Sequence, residues 1–355
     1  MNLKPLFELN REAVNVRRGL LAVAIIAAAI ALFLVVGPLG LTAALGALII
    51  SMTDFGGPLP NRLKLMVGLT VSGSVLTLLG TAVGNSSWPA VVALFVITFI
   101  CGLGFGGGQR AAILLFLLNL WLVIAQSLSA LGPPLQTAFG FALGGCAVML
   151  LAALTSWWQR RRTPDDDTLD QPLAGAPPGT PWRQLLASNL KPGSPWFIFA
   201  LVRAVAVTLA MAAGILFFAE YPLWAAISTL IVISPDVNKA VPLGVQRAIG
   251  TALGAGLALL AGIVIGPGHT WLVVALFLLG GFAMIALQYV NYILFATLMT
   301  FTLLAMFGLI REDLMAVGQN RVAATIVGIL LAVAAVTLLK LLSDRLNAAE
   351  SEAHP

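Results

Sequence analysis

The chain has 355 residues, of which 60% are hydrophobic and only 9% charged, with a net charge of +5. A water-soluble domain cannot hide that much apolar surface, and the basic residues are scattered at the ends of apolar runs rather than gathered on one soluble face. Composition therefore excludes an ordinary soluble enzyme and a nucleic-acid-binding module, and it predicts an all-α polytopic membrane protein.

The first apolar run, 19–37, follows Arg17 and Arg18 and has the flank of a signal peptide. Its counterpart around 197–218, with Arg203 near its start, lies in mid-chain, so both runs are read as the first helices of two halves. Further apolar runs follow at 39–53, 64–84, 88–106, 110–130 and 135–158, then at 222–234, 245–266, 270–287, 290–309 and 321–341. Between the halves, 159–195 carries Arg160-Arg-Arg162, Asp165-Asp-Asp167 and a Pro/Gly-rich stretch, the composition of a linker. The domain reading is a first transmembrane repeat over 1–158, a cytoplasmic linker over 159–195, a second repeat over 196–345 and a cytoplasmic tail over 346–355.

The halves are related by sequence. Leu41–Phe95 aligns with Leu223–Phe277 without a gap, and Val91–Phe95 is identical to Val273–Phe277. Asp54 falls on Asp236, Gly68 on Gly250, Gly80 on Gly262 and Gly84 on Gly266. This predicts about 12 transmembrane helices as two six-helix repeats, and an even number per half makes the repeats parallel rather than inverted. A cytoplasmic N-terminus leaves only Arg203, Arg311 and Arg321 outside the cytoplasmic segments, so the positive-inside rule puts both termini and the linker in the cytoplasm.

Several features are candidates for chemistry. The second run of each half is too short for a hydrocarbon core of about 30 Å, and each ends at an acid in a Pro-containing segment, Asp54 before Pro58 and Asp236 after Pro235. Paired short segments point to a transport site, although slightly buried helices with ordinary turns fit equally well. The third run carries a small-residue stripe, Gly250, Gly254, Ala258, Gly262 and Gly266 in one half and Gly68, Gly80 and Gly84 in the other, which reads as close helix packing. Arg62 and Lys64, and Arg247 in the other half, stand at the cytoplasmic end of that run. Arg203 lies one turn inside its own, where a charge needs a partner. Asn119 and Thr297 fall near mid-membrane in the fifth runs, with Asn291 and Tyr292 closer to the cytoplasmic end. These polar groups either line a solute pathway or hydrogen-bond between helices.

Other motifs carry nothing. Gly102–Gly107 matches a dinucleotide fingerprint but follows an apolar helix rather than a strand, and there is no phosphate loop. Cys101 and Cys146 have no further Cys or His at metal-ligand spacing, and His269 and His354 have no intramembrane neighbours, so no metal, cofactor or catalytic cluster is expected.

Arg247-Ala-Ile-Gly250-Thr251-Ala-Leu-Gly254, preceded by Leu223-Trp224-Ala-Ala-Ile-Ser-Thr and Ser234-Pro-Asp236, resembles the fusaric acid resistance protein-like family, the aromatic acid exporters of bacteria. Arg321-Val-Ala-Ala-Thr325-Ile-Val-Gly328 resembles that family's last-helix pattern. The resemblance covers the second half well and the first more loosely. It implies a six-helix bundle occurring twice, residence in the inner membrane, export of aromatic carboxylates and cooperation with a periplasmic membrane-fusion adaptor. Similar bundles in plant malate channels raise an anion-channel alternative. The short linker stands where the longer exporters carry a cytoplasmic domain. The expected function is secondary export of small organic anions using the proton gradient, with Arg203, Arg247, Asp236, Asp54, Asn119, Thr297 and Asn291 as candidate substrate contacts and Asp54, Asp236 and Glu220 as the acids placed for coupling. The rivals are a passive anion pathway and a scaffold with no solute of its own. Oligomeric state is left open.

Overall fold

The computed structural model describes residues 8–16, 19–20, 23–24, 27–28, 31, 35–53, 58–84, 87–130, 132–162, 182–234, 237–265, 269–309 and 314–353. Among these the regular structure is entirely helical. The helices are α1 (Pro38–Met52), α2 (Leu59–Val83), α3 (Trp88–Gly104), α4 (Gln109–Ser127), α5 (Pro134–Arg162), α6 (Trp182–Asn189), α7 (Pro195–Phe217), α8 (Leu223–Val232), α9 (Val237–Ile265), α10 (Thr270–Ala286), α11 (Tyr292–Leu309) and α12 (Leu314–Ala353). Seven of the helical stretches are long and apolar enough to cross a membrane. The first apolar run read from sequence falls largely outside the described residues, as do Asp54, Asp236 and Gly266.

Local chemistry sets several helix ends. Pro38 opens α1, where a missing N–H costs nothing. Gly84 closes α2 at φ 71°, a left-handed conformation that a side chain would strain, and its N–H bonds the carbonyl of Gly80 at 2.9 Å. Within the apolar helices, hydroxyls find acceptors one turn back, as in Thr77 to Gly73 (2.7 Å), Thr81 to Thr77 (2.6 Å) and Thr297 to Ile293 (2.8 Å). Such bonds let Thr sit in an apolar interior without an unsatisfied group.

The chain divides into two compact units, Ala28–Ala204 and Met1–Ala27 with Val205–Pro355. In the first unit α5 packs along α1 and α2, α2 also along α4, and α4 along α3. In the second, α12 packs along α8 and α9, α9 also along α11, and α11 along α10. The N-terminal segment joins the second unit through Asn10 N–H to Val290 O and Asn15 N–H to Ala286 O, both 2.9 Å.

Several expected boundaries move. The helices begun in sequence at Lys64, Val245 and Arg321 start instead at Leu59, Val237 and Leu314. The reason is common to all three: polar residues read as interfacial breaks are tolerated inside a helix whose other faces are apolar. Arg247 thus lies about 15 Å along α9 at 1.5 Å per residue rather than at its mouth. Arg321 lies two turns inside α12 rather than in an outer loop. The expected linker is also less irregular than its composition, since α5 runs to Arg162 and α6 forms within it. The short second helices are short here too, with α1 at 15 residues and α8 at 10. Eight residues of α8, including Leu223, Trp224, Ser228 and Thr229, are buried.

Candidate anion site

The second unit buries two arginines. Arg247 on α9 is 0% exposed and Arg321 on α12 is 3% exposed. Arg247 Nη1 donates to the Tyr292 hydroxyl at 3.3 Å, and that is a weak contact by length. Its Nε and Nη2 have no hydrogen-bond partner among the described residues. The Nε and Nη1 of Arg321 are equally without one. The guanidinium carbon of Arg321 stands 5.1 Å above the centre of the Trp224 ring, and Trp224 stacks on Tyr221 at 4.2 Å between centroids. Arg247 and Arg321 lie on α9 and α12, which pack along each other, so the pairs Arg247–Tyr292 and Arg321–Trp224 share one region of the second unit.

The local sequence explains how this cluster is held. Arg321, Thr325 and Gly328 recur at helical spacing on one face of α12. That face meets α8: Arg321 covers Trp224, the Ser228 hydroxyl bonds Thr325 at 3.5 Å, and the Thr229 hydroxyl bonds the Gly328 carbonyl at 2.9 Å. A Cβ at Gly328 would collide with the Ala225 carbonyl, so only glycine allows so close a crossing. Because Trp224 is the second residue of α8, the partially positive end of that helix lies beside Arg321. Gly250 and Gly254 perform the same service between α9 and α11. A Cβ at Gly250 would stand 2.6 Å from Ala296 Cβ. Two buried cations with unused donors, apolar walls and a helix N-terminus form an arrangement suited to an anion.

Other candidates have different surroundings. Arg203, in the first unit, is 1% exposed and lies over the Phe105 ring at 4.6 Å and the Phe199 ring at 5.9 Å, so aromatic faces supply its counter-charge. It and Arg247 belong to different units. Arg62 donates from Nη1 to Ser156 at 3.2 Å. Asn119 is buried and accepts from Thr98 at 3.1 Å, while its Nδ2 has no partner among the described residues. Thr297 spends its hydroxyl within α11. Asn291 caps α11, accepting from Ile293 N–H at 2.7 Å and donating to the Glu8 carbonyl at 2.9 Å. Asp54 and Asp236 lie outside the described residues.

The glycines also separate. A Cβ at Gly80 would stand 2.7 Å from Ala125 Cβ, marking a close crossing of α2 and α4. Gly84 serves a turn, and Gly68 faces open space, which corrects the reading of Gly68 as a packing residue. Gly262 is half-buried and Gly266 lies outside the described residues.

Sequence reasoning missed Trp224 and Arg321 as site residues. Arg321 was assigned outside because its helix was started at the arginine itself. The signal was present in the spacing of Arg321, Thr325 and Gly328, which is that of a helix face rather than of a loop.

Fold and site together define a polytopic helical membrane protein with cations buried in its apolar interior. Residues 205–335 match the family model described as fusaric acid resistance protein-like, and this stretch, from α7 into α12, contains the whole cluster of Trp224, Arg247, Tyr292 and Arg321. Neither the curated proteins nor the solved structures give a match.

Proposed function

We propose that the protein is a secondary transporter of the bacterial inner membrane that exports small organic anions, aromatic carboxylates above all. The observation that carries this reading is Arg247, wholly buried in an apolar helix with two guanidinium nitrogens that have no hydrogen-bond partner among the described residues. A charge at the centre of a membrane helix costs about 2.5 to 3.5 kcal/mol on insertion scales, and such residues mark ion and substrate pathways. The fusaric acid resistance protein-like match over the same segment supports transport, and seven apolar spans give it a membrane to act across.

In cells lacking other exporters, Arg247→Gln is expected to reduce efflux of an aromatic acid about tenfold or more without lowering the amount of protein in the membrane. Arg247→Lys recovers part of it, because an ammonium keeps the charge but loses the planar fork. Full efflux by Arg247→Gln would make this arginine a topological anchor and refute the site.

The gapless alignment and the matching order of helix partners in the two units support a parallel internal repeat. With the excess of Lys and Arg in alternate segments, this reading places both termini and 159–195 in the cytoplasm. Single cysteines introduced over 159–195 should react with a membrane-impermeant maleimide only after the cells are opened. Labelling in intact cells would overturn the topology. A periplasmic adaptor is part of the export reading, and co-purification from cross-linked membranes tests it.

A further inference from the structure

We propose that the second unit binds one organic dianion, with one carboxylate on Arg247 and the other on Arg321. The proposal rests on the anion-transport reading above and deepens it by assigning a second cation and hence a charge to the ligand.

The argument begins from neutrality. Arg247 and Arg321 are both buried, both present guanidinium nitrogens without a partner among the described residues, and lie on α9 and α12, which pack along each other. Like charges in an apolar interior repel, and among the described residues neither has the carboxylate that ordinarily accompanies a buried guanidinium. A monoanion leaves one of them uncompensated. A ligand with two carboxylates neutralises both and satisfies donors on both forks.

The geometry also separates the two charges onto different supports. Arg247 is carried by α9 and held by the Tyr292 hydroxyl at 3.3 Å, whereas Arg321 is carried by α12 and stands over the Trp224 ring at 5.1 Å. A cation–π contact uses the charge of the guanidinium and not its N–H donors, so the ring holds Arg321 and leaves those donors for a ligand. The rings of Trp224 and Tyr292 flank the cluster with apolar surface. An apolar, aromatic scaffold joining the carboxylates suits those rings.

The first unit offers an internal contrast. At the equivalent crossing of α5 with α1 and α2, Thr137 bonds Thr81 at 3.3 Å, and the neighbouring interior is filled by Trp121, whose Nε1 donates to Thr77 at 2.8 Å, and by Phe141. Those buried groups are neutral and bonded to one another. The paired cations belong to the second unit alone among the described residues.

The test uses the purified full-length protein in nanodiscs, with benzoate and the three benzenedicarboxylates as probes in isothermal titration. The best of the three isomers is expected to bind about tenfold tighter than benzoate, and Arg321→Gln is expected to remove that advantage, so that benzoate and the dicarboxylates bind alike. Arg321→Lys, should the glutamine variant fold poorly, is expected to retain part of the advantage. Equal affinity for benzoate and all three isomers, or a dicarboxylate preference that survives Arg321→Gln in folded protein, overturns the proposal. Failure of the transport reading is a separate result: the purified protein would still prefer the dicarboxylate, while cells with and without it would retain the same acid load.

Discussion

Replacing Gly254 with Leu is expected to abolish recovery of folded protein, while Leu257→Phe, three residues along the same helix, leaves the yield near normal. Gly254 lies where α9 crosses α11 at close range. A Cβ there would collide with the Thr297 carbonyl, stand 2.8 Å from the Thr300 Cβ and reach 3.1 Å from the Phe301 nitrogen. Two of those neighbours are backbone atoms, which cannot swing aside, so the helices must part. Overpacking in a well-packed core costs about 1–3 kcal/mol and more when backbone is displaced. Without hydrophobic drive between helices in lipid, close packing is the main attraction lost. Leu257 is 50% exposed and points away from that crossing. The measurement is the fraction of detergent-solubilised protein eluting as a single monodisperse species. Comparable yields at both positions would refute the close contact.

Arg321→Met is expected to raise the thermal midpoint of the ligand-free protein. The buried guanidinium costs about 2.5–3.5 kcal/mol in a membrane helix. Its position over Trp224 returns about 0.5–2 kcal/mol as a cation–π contact. The difference favours the apolar side chain, which matches Arg321 in reach and keeps contact with the ring. A net gain of about 1–2 kcal/mol corresponds to a rise of a few degrees. Arg321→Lys retains a charge and loses the guanidinium over the ring, so its midpoint should not rise. A clear fall for Arg321→Met would show that the guanidinium serves the fold by holding Trp224 in place. A site that is destabilising when empty is the common signature of a residue kept for binding.

The sequence made the class and the crossings legible because both depend on short-range patterns. Gly250 and Gly254 at helical spacing identify a face, and that face meets α11. Two arginines defeated the same logic. Charged residues end apolar runs in a hydropathy reading, so Arg247 and Arg321 became boundary markers although both lie well inside helices. What allows them there is tertiary: the Tyr292 hydroxyl and the Trp224 ring come from other helices, and no local pattern at 247 or 321 announces them. Arg203 was correctly read as a charge inside an apolar run that needs a partner. The faces of Phe105 and Phe199 stand beside it, contacts that spacing does not encode. Asn291 shows the converse. Read as a pathway residue, it is occupied by capping α11.

None of the seven apolar spans contains an aspartate or glutamate, whereas Arg203, Arg247 and Arg321 lie deep within them. The fixed charge of the membrane interior is thus of one sign, and it acts on voltage as well as on ligands. Each elementary charge carried across the bilayer exchanges about 2.3 kcal/mol per 100 mV. In a cell with a negative interior, an anion moving outward gains that energy, and a dianion about twice as much. On the export reading proposed above, buried arginines lower the electrostatic barrier that an anion meets midway, and the resting potential favours its exit.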